Sequence, residues 1–255
     1  DQMLSVWLEP ASSWAGFTPG QHLLVTMLYK GRYISRSFSI SSSSALFAQQ
    51  KQIRISCRIQ PQGEFTKALA ADISKLTHLS ISEAMGDFVL ATTADTAREE
   101  SIVMVAAGSG ITPLWSMLSS LRCWTSPVVL FYCVKNAAQA AFLTELKLLA
   151  AKQPLFELQL IETATAGRLN LVQHLKAKAG FSLTKAFYYV CGPAAMSRQY
   201  KDELIQQAVP STAIYAELFG LAVPAAEGPV KQAVFMQQWK PLQECRCYRP
   251  QSNRA

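Results

Sequence analysis

An apolar segment at residues 102–107 runs directly into a turn that contains Gly108 and Gly110, and Pro113 follows at once. Glycine lets a backbone approach a phosphate closely, and the N-terminus of a helix attracts negative charge. Proline is favoured in the first turn of a helix. The order of buried strand, glycine turn and helix therefore predicts a βα unit with a pyrophosphate site at the turn. A turn that binds nothing is the alternative interpretation.

The same alternation continues through the second half of the chain. Strands are predicted at 102–107, 128–134, 156–162, 186–191 and 213–217. Helices are predicted between them at 113–122, 137–151, 169–179 and 194–207. Because alternating strands and helices form parallel sheets with helices on both faces, we expect a five-stranded, doubly wound α/β unit.

The first 95 residues follow a different pattern, in which short β-branched or aromatic runs are separated by turn residues. Strands are predicted at 22–29, 33–41, 52–59 and 78–83, with a short helix after Gly63. This pattern is typical of a small antiparallel barrel. The polar stretch 92–100 separates the two halves. The predicted fold is thus a β barrel plus α/β, with domains at 1–95 and 101–220 and a linker and irregular tail at 221–255.

Length and composition restrict the class of protein. A chain of 255 residues, 50% hydrophobic and 16% charged, has room for one or two compact domains. Its net charge of +7 comes from scattered basic residues, which argues against nucleic acid and favours phosphate cofactors or an acidic partner. The longest apolar run, 102–108, is far shorter than the roughly 20 residues that span a bilayer, so no membrane span is expected.

Cysteine and histidine usage excludes several kinds of site. The six cysteines show no framework spacing and most lie in apolar surroundings, which indicates reduced thiols and a cytoplasmic protein. The three histidines are dispersed and no zinc-type spacing occurs, so no metal site is predicted. A serine hydrolase is also disfavoured, because the chain has no G-x-S-x-G elbow.

One predicted strand carries Arg36, Ser37, Phe38 and Ser39 in succession. A flavin nucleotide needs a cation for its pyrophosphate, a flat ring beside the isoalloxazine and a hydroxyl near flavin N5. Alternation along the strand puts Arg36 and Phe38 on one face, while Ser39 needs a local twist to face the same ring. An ordinary amphipathic strand is the alternative.

This segment resembles the R-x-[FY]-[ST] motif of the ferredoxin-NADP reductase superfamily. The resemblance implies that Arg36 contacts the phosphates of FAD, that Phe38 packs on the flavin, and that Ser39 approaches N5. FMN stays open as the flavin, because no residue marks the adenosine. Gly63, Phe65 and Thr66 resemble the family's second phosphate-binding segment, which implies that they hold the FAD pyrophosphate from the other side. A plain capped helix is the alternative.

The glycine turn resembles the G-[TS]-G-I-[TA]-P loop of the same superfamily. Its residues here are Gly108, Ser109, Gly110, Ile111, Thr112 and Pro113. The resemblance implies that this loop binds the cofactors and that Thr112 lies near both the flavin and the nicotinamide.

Two further segments match the family in the expected order. A C-G-P-x-x-M segment, implied to line the nicotinamide site, consists of Cys191, Gly192, Pro193 and Met196. The E-x-F ending, implied to lie near the flavin, consists of Glu217 and Phe219 with one residue between them. The resemblance assigns positioning roles in catalysis to Ser39, Thr112, Cys191 and Glu217.

The choice of nicotinamide depends on cations near the end of the second strand of the α/β unit. Lys135 and Arg168 could meet a 2′-phosphate, which favours NADPH over NADH. Lys135 stands where the family often has arginine, and Gln139 where it often has an acidic residue. Solvated charges at helix starts are the alternative.

The matches span residues 4–220 and imply a flavin-dependent oxidoreductase. It would pass hydride from NAD(P)H to FAD, and then single electrons to a ferredoxin or an iron-sulfur domain that serves an oxygenase or desaturase. A flavohaemoglobin-type reductase module and a non-catalytic truncated fragment that retains the fold are the alternatives. We expect a monomer.

The C-terminal end lacks the C-x₄-C-x₂-C pattern of a plant-type ferredoxin domain. It offers Cys245 and Cys247 alone, so this chain is not expected to hold an iron-sulfur cluster. Residues 230–237 nevertheless resemble the opening strand of such a domain. A truncated C-terminus and a natural tail that serves a separate ferredoxin are both open interpretations.

Overall fold

The fold is that of a computed structural model, which describes residues 3–60, 62–72, 78–91, 101–219 and 231–235. The N-terminal elements are β1 Met3–Pro10, β2 His22–Tyr29, β3 Arg32–Ser39, α1 Ser44–Gln50, β4 Ile53–Arg58, α2 Glu64–Asp72 and β5 His78–Ile81. The remaining elements are β6 Ser101–Ala107, α3 Ile111–Ser120, β7 Val128–Val134, α4 Leu143–Lys152, β8 Phe156–Glu162, α5 Thr163–Ala166, α6 Leu171–Lys176, β9 Ala186–Pro193, α7 Ala194–Gln206, β10 Ile214–Phe219 and β11 Lys231–Phe235.

The first sheet confirms the predicted antiparallel barrel. Its strand order is β3-β2-β5-β11-β1-β4, and every pair in it is antiparallel. Side chains alternate along each strand, so one face of β2 buries Leu23, Val25 and Met27 in the interior. A bridge between Ile40 and Ile55 joins the two ends of the sheet and closes the barrel.

Strand β11 corrects one expectation. The stretch 221–255 was predicted to be a linker and an irregular tail, with 230–237 resembling the start of another domain. Instead, Lys231–Phe235 lies between β1 and β5 and pairs with both strands. The two strands would otherwise each leave a row of backbone groups unpaired, and a returning segment satisfies both rows.

The second sheet confirms the predicted parallel α/β unit. Its order is β10-β9-β6-β7-β8, with every pair parallel. The chain starts at β6 and winds first to one side and then to the other, so the order reverses between β6 and β9. Ligands bind beyond the carboxyl ends of the strands at such a reversal. All seven residues of β7 are buried, because helices cover both faces.

Local structure differs from expectation at a few points. The short helices α1 and α5 were not predicted, and no bounds were predicted for β1. The helix predicted at 137–151 is broken, since Phe142 adopts a left-handed conformation with φ of 58° and α4 begins only after it. Phe142 is held there by stacking on Trp115, with ring centroids 5.8 Å apart.

Some predicted features fall on residues that the structure does not describe. These are the boundary stretch 92–100, the linker 221–230 and the tail with Cys245 and Cys247. Within the described chain, every helix is too short or too polar to cross a lipid bilayer. In the same residues, no three His, Cys, Asp or Glu side chains converge where a metal ion could bind.

Candidate functional site

A cleft of about 1150 Å³ lies where the barrel meets the carboxyl ends of the parallel strands. It is lined by β3 and β4 on the barrel side, and by the turns that follow β6, β7 and β9 on the other side. The cleft therefore includes the reversal of strand order between β6 and β9, where the fold itself favours a ligand.

Strand β3 brings most of the predicted flavin segment into this cleft. Ser37, Phe38 and Ser39 line it, and the Phe38 ring lies 5.4 Å from the ring of Phe65 on α2. Arg36 is placed differently: its exposed guanidinium donates to its neighbour's carbonyl at 2.7 Å and lies outside the lining.

The segment before and within α2 supports the cleft from the barrel side. Thr66 lines it and accepts a hydrogen bond from the Gln60 amide at 3.2 Å. A Cβ on Gly63 would lie 2.7 Å from Thr66 Oγ1, so a side chain there would displace the threonine. Gly63 and Phe65 thus position Thr66 without lining the cleft themselves.

The glycine turn is fixed by close backbone contact. A Cβ on Gly110 would lie 2.1 Å from the carbonyl oxygen of Cys191, which leaves room for no other residue type. Gly108 has a φ of 54° and lines the cleft together with Ser109 and Thr112. Two neighbours in the loop anchor the start of α3 in the core and do not line the cleft: Ile111 and Pro113.

Glu217 contacts two of the other three residues predicted to position the reaction. Its Oε2 accepts a hydrogen bond from Ser39 Oγ at 3.5 Å and a longer one from Cys191 Sγ at 3.7 Å. Burial, reinforced by the negative charge of Glu217, raises the pKa of the Cys191 thiol well above its ordinary value. Cys191 therefore stays protonated and unreactive as a nucleophile. Thr112, the fourth residue, lines the cleft and donates to the Ser109 carbonyl at 3.0 Å.

His22 is a site residue that the sequence interpretation missed. Its Nδ1 lies 3.4 Å from Glu217 Oε1, and both side chains line the cleft. A Cβ on Gly86 would lie 2.9 Å from the same nitrogen, so the glycine makes room for the imidazole. The sequence shows a histidine at the start of an apolar strand, but nothing in it connects that position with Glu217.

Arg58 is the second residue that was missed. It ends β4 and lines the cleft, and its guanidinium lies beside the glycine turn, 3.3 Å from where a Cβ on Gly108 would stand. A guanidinium next to exposed backbone N–H groups suits a pyrophosphate. The sequence predicts Arg36 as the cation for the pyrophosphate, but in the structure Arg58 is the arginine that lines the cleft.

The far end of the cleft carries the predicted 2′-phosphate cations. Lys135 and Arg168 both line it. The loop after β7 is tied to the glycine turn by Tyr132, whose hydroxyl accepts from the Ala141 amide at 2.9 Å and donates to the Gly108 carbonyl at 3.3 Å. Burial raises the pKa of this tyrosine, so it remains a neutral donor.

The C-G-P-x-x-M segment closes the cleft above β9. A Cβ on Gly192 would lie 2.8 Å from the Met196 methyl group, so this glycine permits close packing of the first turn of α7. The predicted residues of this region that line the cleft are Gly192, Pro193, Met196 and Phe219.

These features fit a flavin dinucleotide and a nicotinamide dinucleotide. The cleft is slightly larger than the roughly 300–1,000 Å³ of an ordinary small-molecule pocket, which suits a ligand as large as a dinucleotide. Its glycine turn lines the cleft beside the Arg58 guanidinium. Its centre offers an aromatic ring, Phe38, beside the hydroxyl of Ser39.

Comparison with known proteins agrees with this geometry. The chain is 29% identical to an NADPH oxidoreductase of Mycobacterium tuberculosis over 226 residues, which cover 88% of this chain and 58% of that protein. The chain thus spans somewhat more than half the length of the curated relatives it matches.

Two solved structures share the fold. The flavohaem-like FAD/NAD-binding domain of nitric oxide dioxygenase from Vibrio cholerae has a TM-score of 0.71 at 23% identity, covering 87% of this chain and 94% of that one. A ferredoxin-NADP⁺ reductase from Neisseria gonorrhoeae with bound FAD and NADP has a TM-score of 0.69 at 18% identity, covering 85% and 92%.

The domain families match the two halves of the chain separately. Residues 2–90 match the oxidoreductase FAD-binding domain, and residues 104–202 match the oxidoreductase NAD-binding domain. The first match covers the barrel strands and the second covers the parallel sheet up to α7. The chain therefore belongs to the oxidoreductases that have an FAD-binding and an NAD-binding domain, and it shares the fold of a ferredoxin-NADP⁺ reductase.

Proposed function

We propose that this chain transfers hydride from NADPH to FAD and delivers single electrons to a ferredoxin or an iron-sulfur domain. The observation that supports this most strongly is the meeting of Ser39 from the barrel and Glu217 from the parallel sheet in one cleft. The Cys191 thiol contacts Glu217 from the buried side and does not itself line the cleft. Bound FAD would supply the conversion of a two-electron donor into single electrons.

The residues of the chain supply orientation and electrostatics for this reaction. Phe38 offers a flat surface for the flavin, and Thr66 and Arg58 offer a hydroxyl and a cation to its pyrophosphate. Ser39 and Thr112 also line the cleft, and we expect their hydroxyls to lie near the two ring systems. The step needs no side chain to act as acid or base, because a hydride carries its own electrons.

NADPH is the proposed nicotinamide because two exposed cations, Lys135 and Arg168, line the distal end of the cleft. A 2′-phosphate adds two negative charges that these cations can meet. The same cleft would bind NADH more weakly, because NADH lacks the 2′-phosphate. The rest of the dinucleotide would be held in the same way.

The proposal includes the oligomeric state, the cellular location and the domain division of the protein. Three thiols in the described chain are buried and free, Cys57, Cys133 and Cys191, which suits a monomer in the reducing cytoplasm. The division into domains at 1–95 and 101–220 is part of the same proposal. Fractionation of the native host and a sedimentation measurement test the first two points.

A decisive test is anaerobic reduction of the FAD-loaded protein. NADPH should bleach the visible flavin absorbance, and NADH should do so at higher concentration. The bleached protein should then reduce both ferricyanide, which needs no docking surface, and a plant-type ferredoxin. Flavin that stays oxidised with both nicotinamides would overturn the proposal.

The same experiment separates the two alternatives. The likeness to a flavohaem-like domain favours a haem domain as a second candidate acceptor. Reduction of ferricyanide and of a haem protein, without reduction of ferredoxin, would establish that candidate. A chain that binds FAD without any reduction would be a non-catalytic fragment that retains the fold.

A further inference from the structure

Arg54 carries a buried positive charge at the junction of the two sheets. It lies on β4 with 8% of its surface exposed, and its Nε and Nη2 donate to the Ser41 carbonyl at 3.2 and 2.8 Å. A buried guanidinium is costly unless its surroundings compensate the charge. Aromatic faces provide such compensation.

Two aromatic rings contact this guanidinium. Its central carbon lies 5.3 Å from the ring centroid of Trp7 on β1 and 4.5 Å from that of Phe142, which precedes α4. Phe142 stacks in turn on Trp115 of α3, with an angle of 13° between the rings. A continuous stack of ring, cation, ring and ring therefore crosses from the barrel to the α/β unit. We call these four residues, Trp7, Arg54, Phe142 and Trp115, the clamp.

On the barrel side, the clamp is bonded to the segment that follows the flavin strand. The Arg54 amide donates to Ser42 Oγ at 3.0 Å. The Ser42 carbonyl accepts from Ser116 Oγ at 2.7 Å, and this buried bond reaches α3. Since α3 begins just after the glycine turn, these bonds connect the strand of Ser39 with the helix of Thr112.

On the other side, the clamp is bonded to the nicotinamide site. Phe142 directly follows Ala141, whose amide donates to the Tyr132 hydroxyl. That hydroxyl donates to the Gly108 carbonyl in the glycine turn. A shift of Phe142 would therefore be transmitted to the turn through two hydrogen bonds.

We propose that Arg54 is a positioning residue that fixes the orientation of the α/β unit against the barrel, and with it the distance between the nicotinamide and flavin subsites. Two units in one chain move relative to each other unless their interface holds them. Hydride transfer is sensitive to small displacements, because the reacting atoms must lie within van der Waals contact. This role rests on the proposed function.

The test is a double-mutant cycle on the clamp. Arg54→Met removes the charge, while Phe142→Leu removes the aromatic face and leaves the Arg54 hydrogen bonds to Ser41 in place. Each variant should lower the rate of hydride transfer about tenfold, with the FAD content unchanged. The rate of the double variant should also be about tenfold below that of the parent, rather than lowered by the product of the two single effects. The reason is that both substitutions break the same contact, the one between the Arg54 guanidinium and the Phe142 ring.

Lys51→Met is the matched control. The Lys51 ammonium lies over the Phe47 ring at 5.3 Å, which is also a cation–π contact but one that stays within the barrel. This variant should transfer hydride at the normal rate. Arg54→Lys keeps the positive charge, so its rate of hydride transfer should fall less than that of Arg54→Met. The lysine variant also replaces Arg54→Met in the test if the methionine variant fails to fold.

A structural readout on the FAD-free protein separates this inference from the proposed function. X-ray scattering should show a larger radius of gyration for Arg54→Met and for Phe142→Leu than for the parent and Lys51→Met. Unchanged scattering, or multiplicative losses in the double variant, would overturn the clamp. If neither NADPH nor NADH reduces the FAD-loaded parent protein, the proposed function is wrong. The radius of gyration of the variants would still show whether the clamp holds the two units together.

Discussion

Ser39 Oγ donates a hydrogen bond to Glu217 Oε2 across 3.5 Å, and so joins the flavin strand of the barrel to the last strand of the parallel sheet. The two residues are far apart in the chain: Ser39 lies in the segment that matches the FAD-binding domain, and Glu217 lies beyond the segment that matches the NAD-binding domain. Their contact marks the point where the two halves share one site.

Replacing Glu217 should test that shared site directly. Glu217→Gln keeps the shape of the side chain but removes the charge beside Ser39 and Cys191. We expect hydride transfer to slow by about ten- to hundredfold, with FAD still bound, as measured by anaerobic stopped flow. Glu157→Gln, an exposed glutamate at the opposite end of the sheet, is the control and should leave the rate unchanged.

His22 should act through Glu217. If the 3.4 Å contact positions the carboxylate, His22→Asn will slow hydride transfer about threefold in the parent but have little effect in Glu217→Gln. His174→Asn, on the exposed surface of α6, should behave like the parent. Equal effects of His22→Asn in both backgrounds would show that the histidine acts independently of Glu217.

Gly110→Ala should be severely destabilising. The new Cβ would lie 2.1 Å from the Cys191 carbonyl oxygen, and the Cys191 backbone cannot move away without disturbing β9 in the parallel sheet. We expect a loss of about 3 kcal/mol or more in the free energy of unfolding, measured with urea. Gly180→Ala meets no atom within 4 Å and should cost about 1 kcal/mol through its positive φ alone.

Lys135 and Arg168 should determine the nicotinamide preference. Replacing both with alanine should raise KM for NADPH about tenfold while changing KM for NADH less than about twofold. The difference should shrink as salt is added, because both cations are exposed. Lys185→Ala, at the opposite end of the sheet, is the control for removing a positive charge and is compared with each single alanine variant. A parallel rise in both KM values would argue against 2′-phosphate contacts.

The cysteines should differ sharply in reactivity. Burial raises the pKa of Cys57 to about 12 and that of Cys133 to about 11, so both remain thiols at pH 8. Cys123 is exposed. Iodoacetamide at pH 8 should therefore alkylate Cys123 well before Cys57, Cys133 or Cys191, as followed by peptide mass mapping. Urea should abolish the difference.

Much of the fold was predictable because it is encoded locally. Strands β7 and β8 were predicted with the bounds that the structure shows, since β7 is an apolar run and β8 alternates between apolar and polar residues over most of its length. The pattern in β1 was equally clear, with Leu4, Val6 and Leu8 buried in alternation, but no bounds were predicted for this strand. The break before α4 could not be predicted, because it depends on how Phe142 packs against Trp115.

The site was predictable only where a motif carried it. The segments of Ser39, Thr112 and Glu217 were found from the order of residues along the chain. His22 and Arg58 were missed because a single histidine or arginine on a strand has many ordinary explanations. Their neighbours, Glu217 and Gly108, come from distant parts of the sequence.

The sequence by itself determined the two sheets, their order in the chain and the glycine turn, because hydrophobic period and glycine placement act over a few residues. The tertiary structure alone decided that β11 returns to the barrel, that Glu217 meets Ser39 and His22, and that Arg54 lies between Trp7 and Phe142. Such contacts form when distant segments are brought together by burial of apolar surface, and no local pattern records which of them will become neighbours.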